Sequence, residues 1–178
     1  MCFSKNGSNY SYGNLFDIYT KLKVHFGIIK DVLHDKENTL KSAEEAINIY
    51  EDYEYNKKFK LLGVVQGKTI EEYCQCYEEL LNMGYKYIAL GGFLKRNGNS
   101  NYVKVSNENF LETVITSINS RFHPKQLFVL GVYSPKRHKL LEKLGVWGAD
   151  YKGWAFHYDE YYKKGMEKLK KRGNLMKR

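Results

Sequence analysis

The chain has 178 residues, is 43% hydrophobic and 15% aromatic, and carries a formal net charge of +9. This length predicts one domain, and the hydrophobic content is sufficient for a buried core. Three cysteines are too few for a disulfide framework, and no apolar run reaches the roughly 18 residues of a membrane helix. The polar, Gly/Ser/Asn-rich N-terminus has no signal-peptide pattern, so we expect a cytoplasmic protein with no membrane partner.

The positive charge is concentrated at the C-terminus. Residues 163–178 contain eight basic residues against Glu167 alone, so +7 of the +9 lies there. Such an excess favours polyanionic partners such as nucleic acid, although a solvated terminal helix gives the same pattern. We therefore expect a domain at residues 1–165 and a basic tail at residues 166–178.

Apolar runs alternate with amphipathic helices along the first half of the chain. Helical spacing over residues 15–24 is followed by a strand candidate at residues 26–32. Asn38-Thr39 can cap a second helix, and a strand follows at residues 61–67. Thr69 begins a third helix that Gly84 ends, before a strand at residues 87–93.

The alternation resumes after an Asn/Gly/Ser-rich segment at residues 95–101, which predicts a loop. A helix is expected at residues 107–122, a strand at 126–132, a helix from Pro135, and a short strand at 146–151 before a long polar helix. Apolar runs separated by helices indicate an α/β fold with about five parallel strands, because parallel neighbours need long crossovers. Periodicity does not separate an open doubly wound sheet from a barrel, but no GxGxxG motif follows the first strand.

In either fold the active site lies beyond the C-terminal ends of the strands. A carboxylate and a carboxamide stand at those ends, with glycines where backbone can approach a ligand, and such groups can surround a purine. Glycine turns and aspartate helix caps give the same spacing. The strand-end residues are Asp31, Gln66 with Gly67, Gly91 with Gly92, Gly131 and Asp150.

Four segments that contain strand-end residues follow one another along the chain: Gly63-Val-Val-Gln-Gly67, Leu90-Gly-Gly-Phe93, Leu130-Gly-Val-Tyr-Ser-Pro135 and Gly145-Val-Trp-Gly-Ala-Asp150. They resemble successive motifs of the tRNA-guanine/7-deazaguanine transglycosylases, in that family's order and spacing. Phe26-Gly-Ile-Ile-Lys-Asp31 extends the similarity, which covers about residues 15–165. The resemblance implies the last five βα units of a (β/α)₈ barrel, a partial TIM barrel, and exchange of a guanine base in nucleic acid.

The resemblance also implies a role for each strand-end residue. Asp150 matches the family's nucleophile, a carboxylate that displaces guanine and holds the nucleic acid covalently until a 7-deazaguanine base attacks. Asp31 matches the carboxylate that contacts the N–H edge of the base, and Gln66 the carboxamide that contacts its carbonyl. The alternatives are helix caps for both aspartates, a Lys30 partner for Asp31, and an ordinary strand-end polar residue for Gln66. Further base contacts are expected from Gly67, Gly91, Gly92, Leu130 and Gly131.

Basic residues on loops at the same strand ends are expected to contact phosphates of the DNA or tRNA. They are Lys95, Arg96, Lys136, Arg137 and Lys152. Trp147 stands where the family usually has a second aspartate before the nucleophile, and Tyr133 where a glycine is common. Both side chains add bulk that could narrow the pocket. Alternatively, Trp147 could stack on a base.

The chain departs from the family in two larger respects. No Asp-Ser-Gly segment supplies the family's second essential aspartate, so roughly three of the eight βα units are missing. The zinc site of the tRNA enzymes is missing too, because Cys74 and Cys76 diverge by about 200° on a helix and no further ligands complete a site. No cofactor is expected, and without a zinc site the chain resembles the branch that inserts 7-deazaguanine into DNA more closely than it resembles the tRNA enzymes.

These departures leave three functional hypotheses. The first is an active base-exchange enzyme whose missing strands come from a second copy or a complementary barrel half. The second is a nucleic-acid-binding remnant of the family that performs no chemistry. The third is an unrelated α/β enzyme that handles phosphate, which no P-loop supports. A partial barrel has two open strand edges, which we expect to be paired with another chain or covered by the first helix.

Overall fold

The computed structural model describes residues 10–96, 103–105 and 107–150, and these form an α/β fold. Its strands are β1 (Phe26–Ile28), β2 (Lys60–Val65), β3 (Tyr87–Leu90), β4 (Leu94–Arg96), β5 (Val103–Val105), β6 (Leu127–Val129) and β7 (Val146–Ala149). Five of them form one parallel sheet in the order β1-β2-β3-β6-β7. The expected five parallel strands with interleaved helices are therefore confirmed.

The helices are α1 (Tyr12–Lys21), α2 (Lys36–Asp52), α3 (Ile70–Asn82), α4 (Glu108–Phe122) and α5 (His138–Lys143), with a 3₁₀ turn at Tyr55–Lys57. Thr69 and Asn107 cap α3 and α4 as expected, because each side chain accepts a backbone N–H of the first turn. The predicted cap of α2 is wrong. Asp35 caps that helix, and Thr39 lies inside its first turns.

The strand order distinguishes between the two α/β architectures that periodicity left open. Neighbouring strands follow chain order without reversal, whereas a doubly wound sheet reverses its order at a switch point. Because parallel crossovers are right-handed, this order places the connecting helices on one face of the sheet. Consecutive helices from α1 to α4 pack against each other as one layer. The arrangement is consistent with successive units of a partial (β/α)₈ barrel.

The opposite face of the sheet carries aromatic side chains outside the main hydrophobic core. Phe26 contacts the Tyr87 ring at 5.1 Å and the Phe128 ring at 5.3 Å between centroids, and Phe128 contacts Trp147 at 4.8 Å. Trp147 is 54% exposed. In a complete barrel this face would line the interior, where bulky side chains pack in layers. We call these four residues the aromatic face.

Strands β1 and β7 are the outer strands of the sheet. Part of the β1 edge is covered by α1, because the Tyr19 hydroxyl donates to the Ile28 carbonyl at 2.9 Å and Lys30 N donates to the Tyr12 hydroxyl at 2.9 Å. The first helix thus satisfies backbone groups that an edge strand would otherwise expose.

Three other segments differ from the sequence-based predictions. Leu94–Arg96 and Val103–Val105 pair as antiparallel strands where a loop was expected from residue 95. The helix predicted from Pro135 begins at His138, because residues 134–137 form a turn in which Arg137 N donates to the Ser134 carbonyl at 2.9 Å. The last polar helix and the basic tail lie outside the described residues. Within residues 10–96, 103–105 and 107–150, none of the helices has the length and apolar character that a membrane span requires.

Candidate functional site

Asp31 and Gln66 form a hydrogen-bonded pair at the C-terminal ends of β1 and β2. Gln66 Nε2 donates to Asp31 Oδ2 at 2.5 Å, and Gln66 Oε1 accepts from His34 N at 3.1 Å. Gln66 is 1% exposed, whereas Asp31 is half-buried. Burial raises the pKa of Asp31, while the hydrogen bond from Gln66 opposes that rise. The carboxamide has a second N–H and the carboxylate has further lone pairs, so the pair can bind a group that offers both N–H and C=O.

The loop that carries Asp31 is fixed on both sides. Before it, the Ser42 hydroxyl donates to the Lys30 carbonyl at 2.8 Å. After it, Val32 N donates to Thr39 Oγ1 at 2.9 Å, and the same hydroxyl donates to the Val32 carbonyl at 3.1 Å. Thr39 is fully buried in α2. These bonds to α2 hold the carboxylate in place before any ligand binds, which lowers the entropic cost of binding.

The turn after β3 approaches Gln66 so closely that it requires glycine. A Cβ on Gly91 would lie 2.5 Å from Gln66 Nε2, and one on Gly92 would lie 2.6 Å from Gln66 Oε1. Gly92 also has a φ of +83°, a conformation that other residues rarely adopt. Gly91 and Gly92 at the end of β3 therefore lie against the Gln66 carboxamide at the end of β2, as their shared place at the strand ends predicted. Gly67 is buried, and a Cβ there would lie 3.1 Å from the ring of Tyr73.

Tyr73 belongs to this site, although the sequence pattern marks it only as one of the apolar positions of α3. Its hydroxyl donates to the Gly91 carbonyl at 2.6 Å, its ring stacks on Phe93 at 5.4 Å, and its side chain is fully buried. Burial raises the pKa of Tyr73, so the phenol remains a donor at neutral pH. The available sequence signal was a tyrosine at a core position of a helix, whose hydroxyl needs a partner when it is buried.

Asp150 lies at the end of β7, against the turn that follows β6. Its carboxylate accepts a short hydrogen bond from Gly131 N, and its carbonyl accepts from Tyr133 N at 3.2 Å. Gly131 has a φ of +74°, and a Cβ there would collide with the Leu94 side chain. Asp150 is exposed. The predicted nucleophile is thus positioned by a neighbouring strand end and accessible from solvent.

The predicted residues fall into two groups along one edge of the sheet. Asp31, Gln66, Gly91 and Gly92 form the first group, at the ends of β1, β2 and β3, and Gly131 with Asp150 forms the second, at the ends of β6 and β7. Leu94 connects them, because it follows the Gly91-Gly92 turn and packs where a Gly131 side chain would be. Leu130 is half-buried against the core, with its N donating to the Leu90 carbonyl at 2.8 Å. Sequence reasoning did not identify Leu94 or the His34 backbone.

The predicted phosphate contacts have different surroundings. Arg137 binds Glu108 through Nη2 at 2.8 Å and Nε at 3.0 Å, and also donates to the Val132 carbonyl, so its guanidinium connects the loop after β6 to α4. Lys136 is exposed on the same loop. Lys95 and Arg96 are residues of β4, which follows the end of β3. Lys152 lies outside the described residues.

The two helical cysteines are both buried, and burial raises the pKa of Cys76 to about 11 and that of Cys74 in the same direction. Both are therefore neutral thiols near pH 7, which disfavours nucleophilic or metal-binding roles. Among the residues that the structure describes, no three His, Cys, Asp or Glu side chains are grouped closely enough to hold a metal ion.

A comparison of the chain with models of known protein families finds no match, and a comparison with curated proteins finds none either. A functional assignment therefore depends on the motifs and on the geometry of the two residue groups.

Proposed function

We propose that the chain is part of a base-exchange transglycosylase that replaces guanine in DNA or tRNA with a 7-deazaguanine base of the preQ0 type. The observation that carries this proposal is the hydrogen-bonded pair of half-buried Asp31 and buried Gln66 on the same sheet edge as the Gly131-bound Asp150. A pair of side chains that can bind a base and a candidate nucleophile thus lie on the edge at which α/β enzymes bind their substrates.

The Asp31–Gln66 pair has the hydrogen-bonding pattern that guanine requires. Asp31 can accept from N–H groups of the base, and the second N–H of Gln66 Nε2 can donate to its carbonyl oxygen. Adenine has an amino group in place of that carbonyl, so the Gln66 donor would be left unpaired. A site built from buried polar groups rejects such analogues strongly.

The reaction proceeds by two displacements at the sugar. An Asp150 carboxylate oxygen attacks the anomeric carbon, the C–N bond to guanine breaks, and its electron pair leaves with the base, which takes up a proton. The incoming 7-deazaguanine base then attacks the same carbon, breaks the ester to Asp150 and loses a proton. The Gly131 N–H donates to the carboxylate and orients it between turnovers.

The proton that the departing guanine needs must come from another part of the assembly, because the chain has no Asp-Ser-Gly segment. A complementary barrel half would supply that group. It would also cover the aromatic face and pair with the outer strands β1 and β7. We place this activity in the cytoplasm and assign it no cofactor.

A second candidate function is binding without chemistry. The missing Asp-Ser-Gly segment favours it, since general acid catalysis typically contributes about 10²- to 10⁴-fold to a rate. In that case the Asp31–Gln66 pair and the basic tail would bind a base and nucleic acid, and Asp150 would have a structural role.

Incubation of the chain with radiolabelled guanine and either DNA or tRNA tests the proposal. Incorporation of label into one nucleic acid, lost in Asp31→Asn because the base is no longer recognised, supports a transglycosylase. Guanine binding in titration calorimetry without incorporation, even with a complementary barrel half present, supports the remnant. If the chain shows no guanine binding and no incorporation with either nucleic acid, both functions are contradicted.

A further inference from the structure

A basic depression opens at the N-terminal ends of β1 and β2, on the edge of the sheet opposite to Asp31, Gln66 and Asp150. It has a volume of about 490 Å³ and is lined by residues 20, 23–25 and 56–60. Four of these nine residues are lysines, one is a histidine and none is acidic. We call this feature the basic depression, and neither the motifs nor the proposed function assigns it a role.

Two of its four exposed lysines have contacts with neighbouring groups. Lys57 Nζ is 2.6 Å from Glu54, and Lys60 Nζ lies 5.0 Å from the centroid of the Tyr87 ring. Lys23 has a φ of 52° just after α1, so the chain turns sharply there. With Glu54 counted, the four lysines still leave a net charge of +3 around the depression. This local excess of positive charge attracts anions.

Thr20 supplies a second and independent observation. Thr20 lines the same depression, and its Oγ1 is buried beneath the surface, the one buried side-chain oxygen or nitrogen without a hydrogen-bond partner in the described part of the chain. A buried hydroxyl without a partner is unfavourable, so a rotation about the Thr20 Cα–Cβ bond that turns the hydroxyl toward an acceptor oxygen in the depression would relieve it. Phe59, which is 5% exposed, gives the depression an apolar wall that strengthens electrostatic attraction nearby. Hydroxyl and ammonium donors beside an apolar wall match a phosphate oxygen.

We propose that the basic depression binds phosphate groups of a nucleic-acid backbone, as a second contact remote from the strand-end site. A continuous polyanion fits because the depression is open to solvent and has a local net charge of +3. The six residues of β2 span about 20 Å, which is the length of about six base pairs, so one duplex can reach both edges of the sheet. The inference does not depend on base exchange, since a binding remnant would use the same contact.

The test compares two double variants of the full chain that remove equal charge. Lys23→Gln/Lys58→Gln removes two lysines of the basic depression, and Lys41→Gln/Lys125→Gln removes two exposed lysines outside it. Affinity for a fluorescein-labelled 20-base-pair duplex is measured by anisotropy over a series of salt concentrations. We expect the first variant to lower the slope of log K against log salt by about 0.9 per lost phosphate contact, up to about 2, and the control to change it much less. Equal changes in both variants would overturn the proposal, because they would show that binding depends on the net charge of the protein and not on the position of these lysines.

Thr20→Val provides a variant that keeps the volume of the side chain and all of the charge. We expect about tenfold weaker duplex binding with unchanged or increased stability, since the buried hydroxyl loses no protein partner. Unchanged affinity would exclude Thr20 as a phosphate contact and count against the site. Inorganic phosphate alone is titrated in parallel at constant ionic strength. Phosphate binding that depends on Lys23 and Lys58, combined with duplex binding that does not, would assign the depression to a free anion and overturn the nucleic-acid assignment.

Discussion

Replacement of Gly92 by alanine tests the close approach on which the Asp31–Gln66 site depends. The new Cβ would lie 2.6 Å from Gln66 Oε1 and 2.7 Å from the Tyr73 hydroxyl. Neither group can move freely, because Gln66 accepts from His34 N and donates to Asp31, and Tyr73 donates to the Gly91 carbonyl. The variant must therefore break at least one buried hydrogen bond.

Gly84 provides the matched control. It has a φ of +95°, similar to the +83° of Gly92, but a Cβ there would meet no atom within 4 Å. Gly84→Ala should thus show only the backbone strain, about 1–2 kcal/mol. Gly92→Ala adds about 1–3 kcal/mol for the displaced buried groups. For a chain of this size the difference corresponds to about 2–12 °C in melting temperature.

The measurement is urea and thermal unfolding of both variants, followed by circular dichroism. Gly92→Ala should be the less stable of the two by the stated margin, and it should also lose guanine binding if the strand-end pair reads the base. Equal losses of stability in the two variants would refute the close packing of Gln66 under the Gly91-Gly92 turn.

Three further predictions follow from the same contacts and from the charge distribution. Tyr73→Phe should lower the free energy of unfolding by about 1–3 kcal/mol in urea, because the Gly91 carbonyl loses its donor; a change below about 0.5 kcal/mol would contradict this. The raised pKa of Asp31 means that the folded state binds this proton more tightly, so stability should fall as pH rises from about 3.9 through the raised pKa. Asp31→Asn should flatten that slope in urea titrations across this range, and identical slopes would contradict it. Deletion of residues 163–178 should reduce the salt dependence of nucleic-acid binding by several units of slope, and unchanged binding would contradict a dominant role for the tail.

The sequence was sufficient for the five parallel strands and for the glycines at the strand ends, because both depend on local patterns. Parallel strands require alternation with helices, and Gly91-Gly92 follows an apolar run directly. The cap of α2 was missed because Asp35, Asn38 and Thr39 are all good capping residues within five positions. The structure decides among them, since the Thr39 hydroxyl is already bound to the backbone of Val32.

Contacts between distant segments could not be predicted from sequence. Arg137 pairs with Glu108, which is 29 positions away, and no local pattern distinguishes it from the neighbouring Lys136, which is exposed. The hydroxyl of Tyr73 reaches Gly91 only because α3 packs behind the end of β3. Such contacts follow from tertiary packing, which periodicity does not encode.

The most direct test of the proposed function is a covalent adduct at Asp150. The chain is mixed with labelled DNA or tRNA, with and without a complementary barrel half, and then denatured and separated by electrophoresis. We expect a denaturant-resistant band that excess guanine removes. Asp150→Asn should abolish this band, while guanine binding through Asp31 and Gln66 remains. A band of equal intensity in Asp150→Asn, or guanine exchange at the same rate in that variant, would contradict the assignment of Asp150 as the nucleophile.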